Sequence, residues 1–315
     1  MHALIDQDMI LYQAAFSAQF KDDEGEELIL PFESAKESMD KLIADILDAV
    51  GADSHTLFIT GKGNFREAIA KKEVYKDSRK EKEKPFHYEN LKAYSRVCLG
   101  AVVVEGMEAD DAMVIEQCAY KGRFGEEETI ICSRDKDLRM CPGWHYSWEC
   151  HNQPERTPHF VEPLGEYDPK YKQVVSKKTG VESTVFNKLE ATGLRLFYAQ
   201  ILMGDRVDTI PGLPGVGAKG AYDALVGCVS EMEMYLVCLG MYADKYVDEA
   251  YEAFSEHAAE SGIDRDHTDL EYEEVRDEFV SGYIDRELLE QARLVWMVRE
   301  LHEDGSPVMW EAPIA

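Results

Sequence analysis

No apolar run in this chain approaches the roughly 20 residues needed to span a bilayer, although its hydrophobic fraction of 45% is ordinary for a globular protein. A membrane partner is therefore not expected. The opening residues, MHALIDQDMILYQ, carry no basic leader, and Asp6 and Asp8 interrupt what would be the apolar segment of an export signal. The expected location is the cytoplasm. Cysteine is sparse: seven residues, with no CxxC pair and an odd total. That pattern fits buried thiols in a reducing compartment better than a disulfide framework. Positive charge is the most conspicuous shortage. Against 62 Asp and Glu stand 34 Lys and Arg, a net charge of -28. Taken alone, this argues against a nucleic-acid binder, whose basic footprint normally neutralises phosphates.

The charge is unevenly spread. From Val229 to the end there are 23 acidic and 6 basic residues, a balance of -17. Between Lys62 and Lys84 there are nine Lys and Arg against five acids, which is +4 in one short stretch. A local patch of that kind suffices to meet a phosphate backbone.

The first half alternates short β-rich runs with helical patterns, as β-α-β units around a parallel sheet do. Ala3 to Ile5 reads as a strand leading into a helix over Met9 to Phe20. A second helix is expected over Ser34 to Val50, with a capping box of Ser34 and Glu37 and a stop at Gly51. Thr56 to Thr60, Ala101 to Glu105 and Thr129 to Cys132 read as further strands, with a helix near Asp110 to Tyr120 and an edge strand over Trp144 to Glu149. The stretch Lys62 to Lys84 is too polar for a core and ends at Pro85, so a protruding arm or a solvated face is expected there. Residues 151 to 190 suggest an irregular excursion or a long hairpin, to which the sequence attaches no function. Leu194 to Met203 reads as a buried helix, followed by a Gly/Pro-rich turn and then acidic helical sequence.

The acids sit where chemistry would need them. Ligands of open parallel sheets bind beyond the carboxyl ends of the strands. Asp6 follows the first strand, Glu108, Asp110 and Asp111 follow AVVVEG, and Asp135 and Asp137 follow ETIICS. Asp205 and Asp208 in MGDRVDTIPG lie at i and i+3, which a helical turn would place on one face. Singly, each has an ordinary explanation as a turn residue or helix N-cap, and for Asp110 or Asp137 alone that explanation is preferred. Together they would repel one another unless cations intervened, and hard oxygen ligands select Mg²⁺ or Mn²⁺. Two-metal phosphodiester hydrolysis is the chemistry such a constellation best serves.

The turn IPGLPGVGAKGA supplies Gly212, Gly215, Gly217 and Lys219, which lets backbone N-H groups approach an anionic backbone ahead of a helix. By itself it is also an acceptable link between two helices. Taken with EGMEADDA, SRDKDL and MGDRVD, in this order and spacing, it resembles the 5' nucleases, the family of bacteriophage 5' to 3' exonucleases and flap endonucleases. The resemblance begins at LIDQDMILYQA, includes FREAIAKKEVYKDSRKEKEKP, and is weakest over residues 140 to 195.

That resemblance implies a PIN-like, Rossmann-like α/β core over 1-193 with a largely parallel central sheet and a charged helical arch near 62-90. It implies a helical DNA-binding lobe over 194-315 with a helix-three-turn-helix motif. Asp6, Glu108, Asp110, Asp111 and Asp135 would line a first metal site, and Asp137, Asp205 and Asp208 a second, with Asp135 bordering both. Two Mg²⁺ ions are implied, with Mn²⁺ as a substitute, and a K⁺ ion at the Gly-rich turn. Lys76 and Arg79 would act on the scissile phosphate and the 5' end, and Tyr75 would stack on a base. The substrate would be duplex or 5'-flap DNA, with RNA of an RNA-DNA hybrid second, in phage replication within an infected bacterial cell and alongside replication proteins.

One departure stands out. Where family members carry an Asp at the end of the strand before the arch, LFITGKGNFRE has Gly61, so a weakened first site is expected, which a faster Gly61→Asp enzyme would mark. Asp8 would replace it only if its loop turned inward, and a helix N-cap is the role expected for it. Two other readings compete. A binding protein would hold flaps without cutting them, which eight retained acids argue against, and a PIN-like ribonuclease would not carry the PGLPGVGAKG turn.

Overall fold

The computed structural model describes residues 1-21, 24-77, 83-124, 129-261, 263 and 270-313. They divide into two compact units. The first comprises Met1–Ala68, Ser78–Gly165 and Met297–Met309, and the second Ile69–Asp77, Glu166–Trp296 and Trp310–Ala315.

The first unit is built on a six-stranded sheet. Its strands are β1 (His2–Asp6), β4 (Ser54–Thr60), β5 (Val102–Val104), β6 (Thr129–Cys132), β7 (Gly143–Ser147) and β8 (Arg156–Val161), in the order β5-β4-β1-β6-β7-β8. All neighbours are parallel except β7 and β8. Parallel strands covered on both faces read as unbroken apolar runs, and TIIC of β6 is buried at all four positions. On one face Ala3 and Ile5 join a cluster with Ile10 and Leu11 of α1 (Gln7–Ser17), Met39 and Ile46 of α2 (Phe32–Val50) and residues of later elements. Leu4, which alternation points to the other face, is equally buried, and α5 (Ala109–Phe124) packs on β1, β4 and β6. A small ribbon of β2 (Gln19–Lys21) and β3 (Glu27–Ile29), the short α3 (Arg66–Ile69), and α4 (Tyr88–Val97) complete the elements before β5.

Three local expectations change. Helix α1 ends at Ser17, because Gln19 to Lys21 pair as β2. Helix α2 starts at Phe32 with Pro31 as N-cap, so Ser34 already lies in the first turn and forms no capping box. Its expected stop holds: Gly51 adopts φ 60°, a left-handed conformation that ends a helix at least cost in glycine. The strand expected at the edge, β7, lies inside the sheet, since β8 adds an antiparallel strand beyond it.

The second unit begins with a long antiparallel hairpin, β9 (Tyr167–Val175) and β10 (Glu182–Ala191). Then follow α6 (Gly193–Met203), α7 (Ala218–Leu225), α8 (Glu231–Ser261) and α9 (Leu270–Val295). The acidic composition does not prevent a core. Helix α8 buries Met234, Cys238, Tyr242, Tyr246, Ala250, Phe254 and Ala258, one residue every fourth, and leaves its carboxylates to water. Phe197 of α6 anchors an aromatic cluster with Tyr198, Trp296 and Trp310, at centroid distances of 5.0, 5.0 and 5.5 Å. No helix among the described residues is long and apolar enough to cross a membrane.

Candidate active site

Asp6 ends β1 and is also the N-cap of α1, accepting a hydrogen bond from the Met9 N-H at 3.2 Å. Its other oxygen accepts from the Ser133 hydroxyl, beyond β6, at 2.7 Å. Ser133 in turn accepts the Asp135 N-H at 2.9 Å, and Asp135 accepts the Asp137 N-H at 2.8 Å. The ends of two adjacent parallel strands are thus tied through one serine. Burial, followed by the charges of Asp8 and then Asp135, pushes the Asp6 carboxyl up to about 7, against hydrogen bonds that pull it down.

Asp8 is not a helix cap. It lies in the first turn of α1 and accepts the Thr60 N-H at 2.8 Å, at the end of β4. Its pKa is raised by burial, with Glu108 adding to the rise and Lys92 opposing it. Thr60 carries the arrangement further. Its carbonyl accepts from Lys92 of α4 at 2.7 Å, and its hydroxyl accepts the Ala109 N-H at the start of α5 at 3.0 Å.

Gly61, the position without an acid, has a steric reason. A Cβ there would lie 2.6 Å from the Val104 carbonyl oxygen and 2.7 Å from the Glu105 side chain, closer than real atoms approach. The β4-β5 pairing continues past the strand end through a 2.7 Å hydrogen bond from the Gly61 N-H to Val104, so the backbone is held against its neighbour. Restoring Asp at 61 therefore introduces a clash rather than a ligand. The carboxylate reaching this strand end comes instead from Asp8.

Asp111 departs from the expected ligand set. It is fully buried and forms a bidentate pair with buried Arg66, at 2.6 and 2.9 Å, while accepting the Val298 N-H at 3.1 Å. Both its oxygens are engaged by the fold, so it is a structural acid. Glu108 and Asp110 are half-buried, and Glu108 accepts from the Asn64 amide at 2.8 Å. Asp137 is paired with Lys136 at 2.8 Å. Sequence reasoning missed Arg66, Asn64 and Ser133. Ser133, directly after the apolar run TIIC, was the only one with a signal, a hydroxyl at a strand end.

In the second unit the expected helical turn over Asp205 and Asp208 is absent. The Asp205 N-H donates to Ile210 and the Ile210 N-H donates back, both at 2.8 Å, closing a tight turn. Asp205 caps that turn by accepting the Val207 N-H at 2.8 Å. Asp208 lies 3.5 Å from the Lys76 ammonium, and the Tyr75 hydroxyl donates to it at 3.4 Å. Tyr75 is only 7% exposed, so its ring is not presented for base stacking. Arg79 lies outside the described residues.

The Gly-rich turn is tightly folded. Gly212 has φ 66°, and a Cβ on it would lie 2.3 Å from the Gly204 nitrogen, so no side chain fits. Its N-H donates to buried Gln291 at 2.9 Å. Gly215, with φ 90°, and Gly217, the α7 N-cap, are exposed. Lys219 is exposed and paired with Asp223 one helical turn on.

Among the described residues no group of three or more His, Cys, Asp and Glu is arranged to hold a metal ion. The donor chemistry nonetheless fits a hard divalent cation. Asp6, Asp8, Glu108 and Asp135 supply oxygen only, and the burial that chiefly raises the Asp6 and Asp8 carboxyls, with a smaller part from neighbouring acids, is a cost that such a cation would offset.

No protein-family model matches the chain. DNA polymerase I of Pseudomonas aeruginosa is 28% identical over 144 residues, which are 45% of this chain and 13% of that protein. Among solved structures, T5 5'-exonuclease with divalent metal ions (zinc) bound is 15% identical, with 94% of this chain and 89% of that chain covered and a TM-score of 0.48. T5 D15 protein co-crystallised with metal ions is 16% identical, with 90% and 98% covered and a TM-score of 0.41. T5 D15 flap endonuclease in a pseudo-enzyme-product complex with DNA and metal ions is 17% identical, with 92% and 98% covered and a TM-score of 0.42. At these identities and TM-scores the structural likenesses by themselves settle no activity.

Proposed function

We propose that this chain is a divalent-metal-dependent 5' nuclease that hydrolyses DNA phosphodiesters at duplex 5' ends or flaps. One observation supports this above the others: Asp6, Asp8 and Asp135 interact at the carboxyl ends of neighbouring parallel strands, where the Asp6 carboxyl is pushed up to about 7. Burial first, then the neighbouring charges, disfavour the ionised Asp6, and a bound cation would offset both.

Asp6, Asp8, Glu108, Asp110 and Asp135 would hold the ion, Mg²⁺ with Mn²⁺ as substitute. A divalent ion there activates water and stabilises charge on a phosphodiester. The chain's own residues do the rest. Ser133 and Thr60 fix Asp6 and Asp8 by hydrogen bonds, so the acids are aimed before any substrate arrives. The action of Lys76 on the scissile phosphate belongs to this proposal as well. The second-ion role of Asp137, Asp205 and Asp208, the K⁺ ion at the Gly-rich turn, the phosphate contacts of Arg79 and Lys219, and activity on RNA-DNA hybrids in phage replication are parts of the same proposal. Asp111 is not, since Arg66 occupies it.

The test is cleavage of a 5'-labelled flap duplex and a blunt duplex with Mg²⁺, Mn²⁺ or EDTA. Metal-dependent cutting that Asp135→Ala removes is the expected result. Flap binding with no cutting under any metal would replace this reading with that of a binding protein.

A further inference from the structure

The β9-β10 hairpin has no part in the chemistry above. Its strands hold 9 and 10 residues, roughly 30 Å of extended chain at the usual rise. Strand alternation sorts its side chains. On one face the register sets Tyr167 against Ala191, Pro169 against Leu189 and Tyr171 against Phe186. The Tyr167 and Phe186 rings of this face meet Tyr222 of α7 at centroid distances of 5.8 and 6.3 Å. That face is the one packed on the helical lobe.

The opposite face is basic. Lys170 stands directly across from Lys188, and Lys172 lies two residues along from Lys170. Lys177 and Lys178 are exposed in the connecting turn, which a 2.8 Å hydrogen bond from the Gly180 N-H to Ser176 closes. From Lys170 to Lys188 there are five lysines and one acid, Glu182, in a chain whose net charge is -28. Like charges across a ladder cost free energy. Here Asp168 and Glu190 pair with Lys170 and Lys188, which leaves Lys172, Lys177 and Lys178, against the single exposed acid Glu182, as the charge of the outer face and tip. The hairpin packs on α7, the helix that directly follows the Gly-rich turn.

We propose that the outer face and tip of this hairpin, through Lys172, Lys177 and Lys178, bind the phosphate backbone of duplex DNA beside the turn over residues 211-221. The inference rests on the nuclease reading and extends it. Lysines act as point charges on phosphates, so the contact would add affinity without sequence preference.

The experiment uses the full chain carrying Asp135→Ala, so that DNA is not cut, and a labelled 5'-flap duplex titrated across a NaCl series. Replacing Lys172, Lys177 and Lys178 together by Ala should weaken binding about tenfold near 0.1 M salt and reduce the salt slope by about 2 to 3, at roughly 0.9 per phosphate contact. The corresponding triple Arg variant should restore both. An Ala triple variant that matches its parent in affinity and slope overturns the proposal, as does a loss that Arg fails to restore. An unchanged Ala variant in a parent that binds flaps removes only the hairpin and leaves its lysines to an acidic protein partner. A parent that binds no flap duplex has failed at the nuclease reading itself.

Discussion

The carboxylates of the first unit fall into two regions that the fold treats in opposite ways. Asp111, inside the first turn of α5, has Arg66 built against it and both oxygens engaged. Asp6 and Asp8, at the ends of β1 and β4, are held by a hydroxyl and by backbone N-H groups, and their carboxyls are raised. Where the fold provides its own cation, the acid is part of the scaffold. Where it provides mainly dipoles, with Lys92 acting on Asp8 only through its charge, the acids remain in the ion-binding proposal. Within the three letters A-D-D, Asp111 is thus taken up by the scaffold, and only Asp110 stays within the ion-binding proposal.

The strongest way to break this comparison is kinetic. Asp135→Ala should lower metal-dependent cleavage by about a thousandfold or more while leaving the thermal midpoint in EDTA nearly unchanged. Cutting at the normal rate would dissolve the distinction. Asp111→Ala should do the reverse first: removing one partner of a buried ion pair costs about 3-5 kcal/mol, read as a drop in urea midpoint before any assay of activity. If Asp111→Ala keeps its midpoint and loses metal affinity, Asp111 belongs with the ligands after all.

Gly61→Asp sharpens the comparison at the strand end where no acid fits. The clash with the Val104 carbonyl should cost about 1-3 kcal/mol of stability and slow cleavage. A faster enzyme would show that β5 yields and that the ligand was merely missing. The smallest effect concerns pH. An acid whose folded pKa is raised binds its proton more tightly in the native state, so its contribution is present below about pH 4 and is lost as pH rises through about 7. In EDTA, Asp6→Asn should match wild type near pH 4 and exceed it by on the order of 2 kcal/mol at pH 8. Saturating Mg²⁺ should erase that advantage by stabilising only the wild type. Parallel stability curves from pH 4 to 8 would remove Asp6 from the crowded set.

Much of this was legible in the sequence because periodicity and punctuation are local. The strands β1, β4 and β6 and the buried helix α6 appear as apolar runs, and Gly51 marks a helix end through its own backbone freedom. The carboxylates at strand ends were legible for the same reason. What escaped depends on partners distant in the chain. Nothing near Asp111 announces that Arg66, 45 residues earlier, will occupy it. Nothing near Gly61 reveals the carbonyl of Val104 against it. The spacing of Asp205 and Asp208 suited a helix, and the reciprocal hydrogen bonds between Asp205 and Ile210 made a turn instead.

Thr60 carries one last consequence. Its N-H, carbonyl and hydroxyl are bound to side chain or backbone groups of α1, α4 and α5, so one residue fixes three helices to a single strand end. On the proposed reading, Asp8 is then held in place before any ion arrives, and loading would ask little of the chain. The speed of loading should then follow the ion's readiness to shed its own water, fast for Mn²⁺ and slow for Mg²⁺, rather than any rearrangement of the protein.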